Sequence, residues 1–174
     1  MESAELKAVQ APLKDRYRDD PRSAVVTLSA HGALGDGVTC SIETGQALLK
    51  AGLHPATGGG AGGLPINVCS GDLLLQALVA CAGVTLNAVA TSLGFTIRDA
   101  KVHAEGDLDF RGTLGVAKDA PVGFTDVRLR FEIDSDLSAE QRATLLKLTE
   151  RYCVVYQTLR SPPSLSATVS AVAA

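Results

Sequence analysis

The stretch from Asp72 to Gly94, DLLLQALVACAGVTLNAVATSLG, decides the fold, because Leu73–Leu93 contains no charged residue. As an α-helix of this length it would span roughly 30 Å, which is also the thickness of the hydrocarbon core of a bilayer. The polar residues within it and the lack of basic residues beside it argue against a membrane span. We therefore predict a helix of a soluble domain, buried on most sides, with Asp72 supplying the N-terminal cap and Gly94 the stop.

Length and composition point to one ordinary globular domain. The chain has 174 residues, of which 46% are hydrophobic, which is enough for one core. The formal net charge of -3 and the scatter of the charges argue against binding to nucleic acid or to an anionic membrane. Residues 1–20 are polar and charged, unlike a secretory signal, so we expect a cytoplasmic location. We divide the chain into a lead-in arm, residues 1–23, and a single domain, residues 24–174.

Hydrophobic patterning on the N-terminal side of the helix predicts two strands and a loop. Ala24–His31 and Val38–Glu43 are β-branched and roughly alternating, with Gly35-Asp36-Gly37 between them, which predicts a hairpin. Gly45–Val68 is rich in glycine and contains two prolines, which predicts an irregular loop.

The C-terminal side of the helix alternates strands with a second helix. Phe95–Phe110 and Phe124–Ile133 are predicted strands, the second because apolar and polar residues alternate along it. Ser138–Gln141 is a capping box that opens a helix running through Leu159 as far as Pro162. Leu165–Val172 is a predicted final strand, and the whole pattern indicates an α+β fold.

The four cysteines, in a chain expected to be cytosolic, indicate thiol chemistry or simple burial rather than a disulfide framework. Cys81 lies in the middle of the uncharged helix and Cys153 within the second helix, with Glu150 three residues earlier. Either cysteine alone is typical of core packing. Two cysteines on two hydrophobic helices favour chemistry, because a peroxide-reducing thiol needs a second thiol to convert its sulfenic acid into a disulfide.

Other signals are weaker. Cys40 falls in a predicted strand. Cys69 lies beside the helix N-terminus, where the helix dipole lowers a thiol pKa, so it is an alternative to Cys81 and Cys153 as the reactive or resolving thiol. The glycine loop Gly58–Gly63 lacks the Gly-Lys-Ser/Thr ending of a phosphate-binding loop. The three histidines are dispersed, and we expect neither a metal nor an organic cofactor.

Three segments carry a resemblance to a known family. Ser70–Cys81, SGDLLLQALVAC, resembles the signature of the OsmC/Ohr family, which typically reads PEELLxAAxAAC. The preceding segment HPATGGG, from His54 to Gly60, is similar to the family's glycine-containing loop, and ERYCVVYQTL, from Glu150 to Leu159, is similar to its second-cysteine helix. The order and separation of these segments match the family along most of Val25–Val172.

The resemblance implies two long central helices packed on curved antiparallel sheets in an intertwined homodimer. It also implies thiol-dependent reduction of organic hydroperoxides, with Cys81 as the peroxidatic and Cys153 as the resolving cysteine. An unidentified dithiol would then act as the reductant.

This sequence departs from the family pattern around the reactive cysteine. The family has a Glu ten residues before that cysteine, paired with an Arg, and Gly71 stands at that position here. Asp72, Arg111 and Glu150 are the candidates for supporting a thiolate, and Arg16 or Arg18 of the lead-in arm could replace the Arg. The alternative function is a noncatalytic, small-ligand-binding or stress-associated dimer that keeps the fold.

Overall fold

The computed structural model describes residues 31–35, 39–44, 47–57, 67–115 and 117–170, together with positions 4 and 19. For residues 31–49 it describes the backbone. Apart from positions 4 and 19, the predicted lead-in arm lies outside the described residues, as does all of the first predicted strand except His31. Elements are numbered below in chain order through the described part.

Four short strands form an N-terminal sheet in the order β1-β2-β3-β4. They are β1 (His31–Gly35), β2 (Thr39–Thr44), β3 (Ala47–Gly52) and β4 (Val68–Cys69). The pairing of β1 with β2 confirms a hairpin, but its first strand continues beyond the predicted end at His31, since Gly35 still pairs with Thr39. The predicted loop Gly45–Val68 is wrong at β3, which gains backbone hydrogen bonds from antiparallel β2 and parallel β4 despite its glycine-rich neighbourhood.

The uncharged segment forms a 24-residue helix, α1 (Ser70–Leu93). Gly94 ends it with a left-handed φ of 71°, as predicted, and its N–H donates to the carbonyl oxygens of the last turn. The predicted cap at Asp72 is wrong. The N-cap residue is Cys69, whose side chain makes no capping hydrogen bond. Asp72 lies in the first turn, where its negative charge interacts favourably with the helix dipole.

One face of α1 is buried, rather than most of its sides. The buried residues are Leu78, Ala82, Leu86, Val89 and Ala90. By length and mean hydropathy α1 could cross a membrane, but core helices of soluble proteins meet the same criteria. Val84, on another face, is 74% exposed.

A two-stranded antiparallel sheet packs against α1 and consists of β5 (Asp99–Leu108) and β6 (Phe124–Asp134). Apolar side chains on one face of this sheet, including Val102, Leu129 and Phe131, pack into the core. The other face carries exposed ion pairs such as Arg128–Asp107. A one-turn helix, α2 (Phe110–Thr113), follows β5. Both predicted strands are confirmed within a few residues.

The second predicted helix is interrupted. It consists of α3 (Ala139–Tyr152) and α4 (Val154–Arg160), separated at Cys153, whose φ of -73° and ψ of 108° are extended. The capping box is confirmed, because the Gln141 N–H donates to Ser138 Oγ and the Ser138 N–H donates to Gln141 Oε1. The second predicted helix is thus present from Ala139 to Arg160 except for this break at Cys153.

The predicted strand Leu165–Val172 is wrong over residues 165–170, which form no strand. Leu165 is 91% and Val169 98% exposed, and no described strand pairs with this segment. A strand needs a neighbouring strand to bond with its backbone, and alternating apolar residues do not guarantee one.

Candidate thiol site

Cys81 of α1 and Cys153 at the interruption between α3 and α4 lie in contact. Cys153 is 1% exposed and forms a buried cluster with Leu78 and Ala82, and the partly buried Cys81 packs on that cluster. Both are free thiols, and each sulfur is the other's hydrogen-bond partner. The structure thus brings together the two cysteines that the sequence singled out.

The interruption of the helix supplies hydrogen-bond donors to both sulfurs. The first N–H groups of a helix have no acceptor within it. The first N–H groups of α4 favour the charged form of both thiols: those of Val154 and Val155 act on Cys81, and those of Val155 and Tyr156 act on Cys153. A hydrogen bond of 2.7 Å from Gln157 Nε2 to the backbone oxygen of Glu150 spans the interruption and holds α4 in place.

The two thiols differ in acidity. Burial raises the pKa of Cys81, but the N–H groups of Val155 and Val154, together with the side chains of Cys153 and Thr85, outweigh burial and bring that pKa below its ordinary value. Burial also raises the pKa of Cys153, and the adjacent Cys81 raises it further. Cys81 is therefore the thiol of the pair that ionises first, and Cys153 the one that keeps its proton longer.

Thr85 is a site residue to which the sequence reasoning gave no role. Its hydroxyl donates to the backbone oxygen of Cys81 at 2.7 Å and also lies against the Cys81 sulfur. The available signal was a threonine four residues after a cysteine on one helix face.

Asp72 does not contact the Cys81 sulfur within one chain. It precedes Cys81 by nine residues of α1, which is about 13 Å along the axis and half a turn around it. Gly71, at the family's Glu position, lies a further residue away. Within one chain, direct support of the Cys81 thiolate by an acid at this end of α1 is excluded.

The other two predicted supporting residues have different partners. Arg111 pairs with Asp109 at 2.5 Å, and its side chain is 67% exposed. Glu150 enters the site through its backbone oxygen. Within the described part of the chain, no arginine, lysine or glutamate is among the groups that shift the pKa of Cys81. Arg16 and Arg18 lie outside the described residues.

Cys69 cannot resolve Cys81 within one chain. Twelve residues, or about 18 Å of helix axis, separate them, whereas the two Cα atoms of a disulfide lie roughly 4.4–6.8 Å apart. Cys69 instead lines a separate small cavity with His54 and Asp72. The side chain of Cys40 lies outside the described residues. Among the residues that are described, no group of three His, Cys, Asp or Glu could hold a metal ion.

An apolar groove of about 570 Å³ adjoins the thiol pair. It lies between α1, β6 and α4, and its apolar lining includes Leu74, Leu78, Val127, Leu129, Tyr156 and Leu159. Leu78 and Tyr156 also pack in the cluster that contains both cysteines, so the groove ends against that cluster.

Comparison with known proteins gives consistent matches. Residues 62–168 match the family described as OsmC-like protein. An OsmC-like protein from Mycoplasma pneumoniae has a similar structure, with 18% identity, a TM-score of 0.65, and coverage of 79% of this chain and 89% of that one. No match was found among curated proteins.

Two further similar structures carry functional names. One is an organic hydroperoxide resistance protein from Elizabethkingia anophelis, with 16% identity, a TM-score of 0.62, and coverage of 80% and 91% of the two chains. The other is the organic hydroperoxide resistance protein OhrB of Bacillus subtilis, with 18% identity, a TM-score of 0.54, and coverage of 80% and 94%. At these identities the likeness establishes the fold.

Proposed function

Since the chain belongs to the OsmC-like family, we propose that it reduces organic hydroperoxides, with Cys81 as the reactive thiol and Cys153 as the resolving thiol. The observation that carries this proposal is the contact between a partly exposed Cys81 of lowered pKa and a buried Cys153 of raised pKa. The names of the Elizabethkingia and Bacillus proteins support the same chemistry.

In the first step the Cys81 thiolate attacks the terminal oxygen of the hydroperoxide. A sulfur–oxygen bond forms and the O–O bond breaks, so the sulfur becomes a sulfenic acid and the organic part leaves as an alkoxide, which takes a proton from water. The reaction needs the thiolate, because the thiol is a poor nucleophile. The N–H groups of Val154 and Val155 favour that form, and among the described residues no basic side chain adds to their effect.

In the second step the sulfur of Cys153 attacks the sulfenic sulfur of Cys81. A disulfide forms, and the hydroxide that leaves combines with the proton of the Cys153 thiol to give water. The two sulfurs already form a hydrogen bond, so this step requires little movement of the backbone. An external dithiol then reduces the disulfide and is itself oxidised.

The apolar groove supports an organic substrate rather than hydrogen peroxide. Its lining offers hydrocarbon surface beside the thiol pair, and burying such surface favours binding by about 25 cal/mol per Å². A peroxide with no hydrocarbon part would gain nothing from this groove.

A homodimer is part of the proposal. The face of α1 that carries Gln76, Ala77, Ala80, Val84 and Asn87 is uncharged and exposed in the single chain. A second copy is the partner we propose for it. Sedimentation equilibrium of the wild type and of Val84→Asp tests this, with the expectation of a dimer that the substitution weakens; a monomeric wild type would contradict it.

The test of catalysis is intact mass measurement after one equivalent of cumene hydroperoxide is added to the reduced protein. We expect rapid loss of two hydrogen atoms and a Cys81–Cys153 linked peptide. Cys153→Ser should stop at a sulfenic acid that dimedone traps, and Cys81→Ser should not react. Cys69→Ser is the matched control, with the same substitution on a remote thiol, and should behave as the wild type.

The second candidate function is a noncatalytic binding dimer. It is favoured by the lack of a basic group beside Cys81 among the described residues. Slow oxidation spread over all four cysteines, unchanged by Cys81→Ser, would reject the peroxidase and support this candidate. Saturable binding of an apolar fluorescent probe, weakened by Leu159→Asp in the groove, would then identify the binding site.

A further inference from the structure

Thr85 makes a hydrogen bond that it can give up at little cost. Its hydroxyl donates to the backbone oxygen of Cys81 at 2.7 Å. In an α-helix that oxygen also accepts from the backbone N–H four residues later, which here belongs to Thr85 itself. The hydroxyl therefore occupies the second lone pair of an oxygen that is already satisfied.

The same hydroxyl lies within reach of the Cys81 sulfur. Side chains of a helix lean towards its N-terminus, so the Thr85 side chain covers the turn that carries Cys81. Threonine in a helix has two favourable χ1 rotamers, and a change of rotamer redirects the hydroxyl. The side chain of Thr85 is one of the groups that lower the pKa of Cys81. A hydroxyl has a single hydrogen, so the carbonyl oxygen and the sulfur compete for it.

We propose that Thr85 is a positioning residue whose hydroxyl turns from the Cys81 carbonyl oxygen to the Cys81 sulfur when that thiol ionises. The bond holds the thiolate on the face of α1 that meets Cys153. The inference rests on the proposed reactive role of Cys81 and adds a side-chain donor to the backbone donors of α4.

Few other titratable groups surround the sulfur. They are Cys153, at the interruption between α3 and α4, and Tyr156 of α4, both in the cluster that packs with Cys81. The members of that cluster that come from β5 and β6 are Val102, Ala104, Val127, Leu129 and Phe131, none of which titrates. A shift in the ionisation of Cys81 after removal of the Thr85 hydroxyl would thus report on that hydroxyl.

Thr149 of α3 provides a matched control. Its hydroxyl makes the same type of bond, to the backbone oxygen of Leu145 at 2.8 Å, and it too leans towards the N-terminus of its helix. It therefore points away from Cys153, four residues later. Thr149→Val removes the same hydroxyl-to-carbonyl bond with no sulfur as the alternative acceptor.

The experiment measures iodoacetamide alkylation of the reduced protein against pH, with the Cys81 peptide quantified by mass spectrometry. We expect Thr85→Val to raise the midpoint by about one pH unit, which slows alkylation about tenfold below the midpoint. Thr85→Ser should keep the wild-type midpoint. Thr149→Val should lower the melting temperature but leave the midpoint unchanged. Thr85→Ala, which also lacks the hydroxyl, replaces the valine variant if that variant fails to fold.

An unchanged midpoint in Thr85→Val and Thr85→Ala would overturn the inference, as would an equal shift in Thr149→Val. Alkylation requires no peroxide, so the outcome is independent of the proposed catalysis. A shifted midpoint without peroxide turnover would keep the role of Thr85 and reject the peroxidase. Peroxide turnover with an unshifted midpoint would keep the peroxidase and reject the role of Thr85.

Discussion

Replacing Leu78 by alanine should both destabilise the protein and enlarge the groove towards its thiol pair. Leu78 is 1% exposed and packs with Ala82 and Cys153. A Leu→Ala change in a close-packed core costs about 2–5 kcal/mol, from lost transfer free energy and the cavity left behind. In a chain of this size each 1 kcal/mol lowers the melting temperature by about 2–4 °C, so we expect a decrease of about 4–20 °C. Urea and thermal denaturation measure both quantities.

The same substitution should change which reagents reach Cys81. Leu78 lines the groove and also packs in the cysteine cluster, so the vacated volume extends the groove towards the thiols. We expect a bulky aromatic maleimide to gain reactivity towards Cys81 relative to iodoacetamide, which already reaches this partly exposed sulfur. The ratio of the two rates, read on the Cys81 peptide, reports access without depending on thiol ionisation.

Leu145→Ala is the matched control. Leu145 is fully buried in the second cluster, with Leu86 and Leu137, away from the cysteines. It should lose a similar free energy of unfolding while the rate ratio at Cys81 stays as in the wild type. If Leu145→Ala raised the rate ratio as much as Leu78→Ala, the gain in maleimide access to Cys81 would come from general destabilisation of the core and not from the volume vacated by Leu78. A loss below about 1 kcal/mol for Leu78→Ala would refute its placement in the core.

Three other predictions test the packing and the charge state. Gly83→Ala should raise the free energy of unfolding by about 0.5–1 kcal/mol in urea denaturation, because a Cβ at this mid-helix position would stand 3.6 Å from its nearest neighbour. Gly112→Ala should lower it by about 1–3 kcal/mol in the same assay, because its Cβ would overlap the Pro121 carbonyl oxygen. Peptide-resolved alkylation against pH should give a lower midpoint for Cys81 than for Cys153, because the pKa of Cys81 is lowered and that of Cys153 is raised. Equal midpoints would contradict the proposal that Cys81 is the thiol that ionises.

The sequence predicted the elements whose boundaries are set by local chemistry. The uncharged run ending at Gly94, the capping box at Ser138 and the alternation along β6 each depend on residues within a few positions of one another. The errors depend on distant partners. β3 forms because β2 and β4 lie on either side of it, whereas the segment after Pro163 alternates but finds no partner strand among the described residues.

The pairing of Cys81 with Cys153 was predictable from the resemblance, but the groups around the thiols were not. The interruption at Cys153 contains no glycine or proline, and the backbone hydrogen bonds from Cys153 to Thr149 and from Gln157 to Cys153 continue through it. Cys153 departs from helical geometry in its ψ of 108°, and α4 begins directly after it with the N–H groups that act on the Cys81 thiol. A side-chain motif search looks for an acid and a base and therefore misses donors that belong to the backbone.

The backbone donors also explain how the site can depart from the family pattern at Gly71. An arginine stabilises a thiolate by its charge, and that charge must be held in position by a further acid. The N–H groups of Val154 and Val155 stabilise it by direct hydrogen bonds and are fixed by the helix that they begin. Among the described residues around Cys81 there is no arginine for an acid at the start of α1 to hold. The loss of the acid is therefore compatible with a reactive Cys81, and the alkylation midpoint of Cys81 measures whether backbone donors suffice.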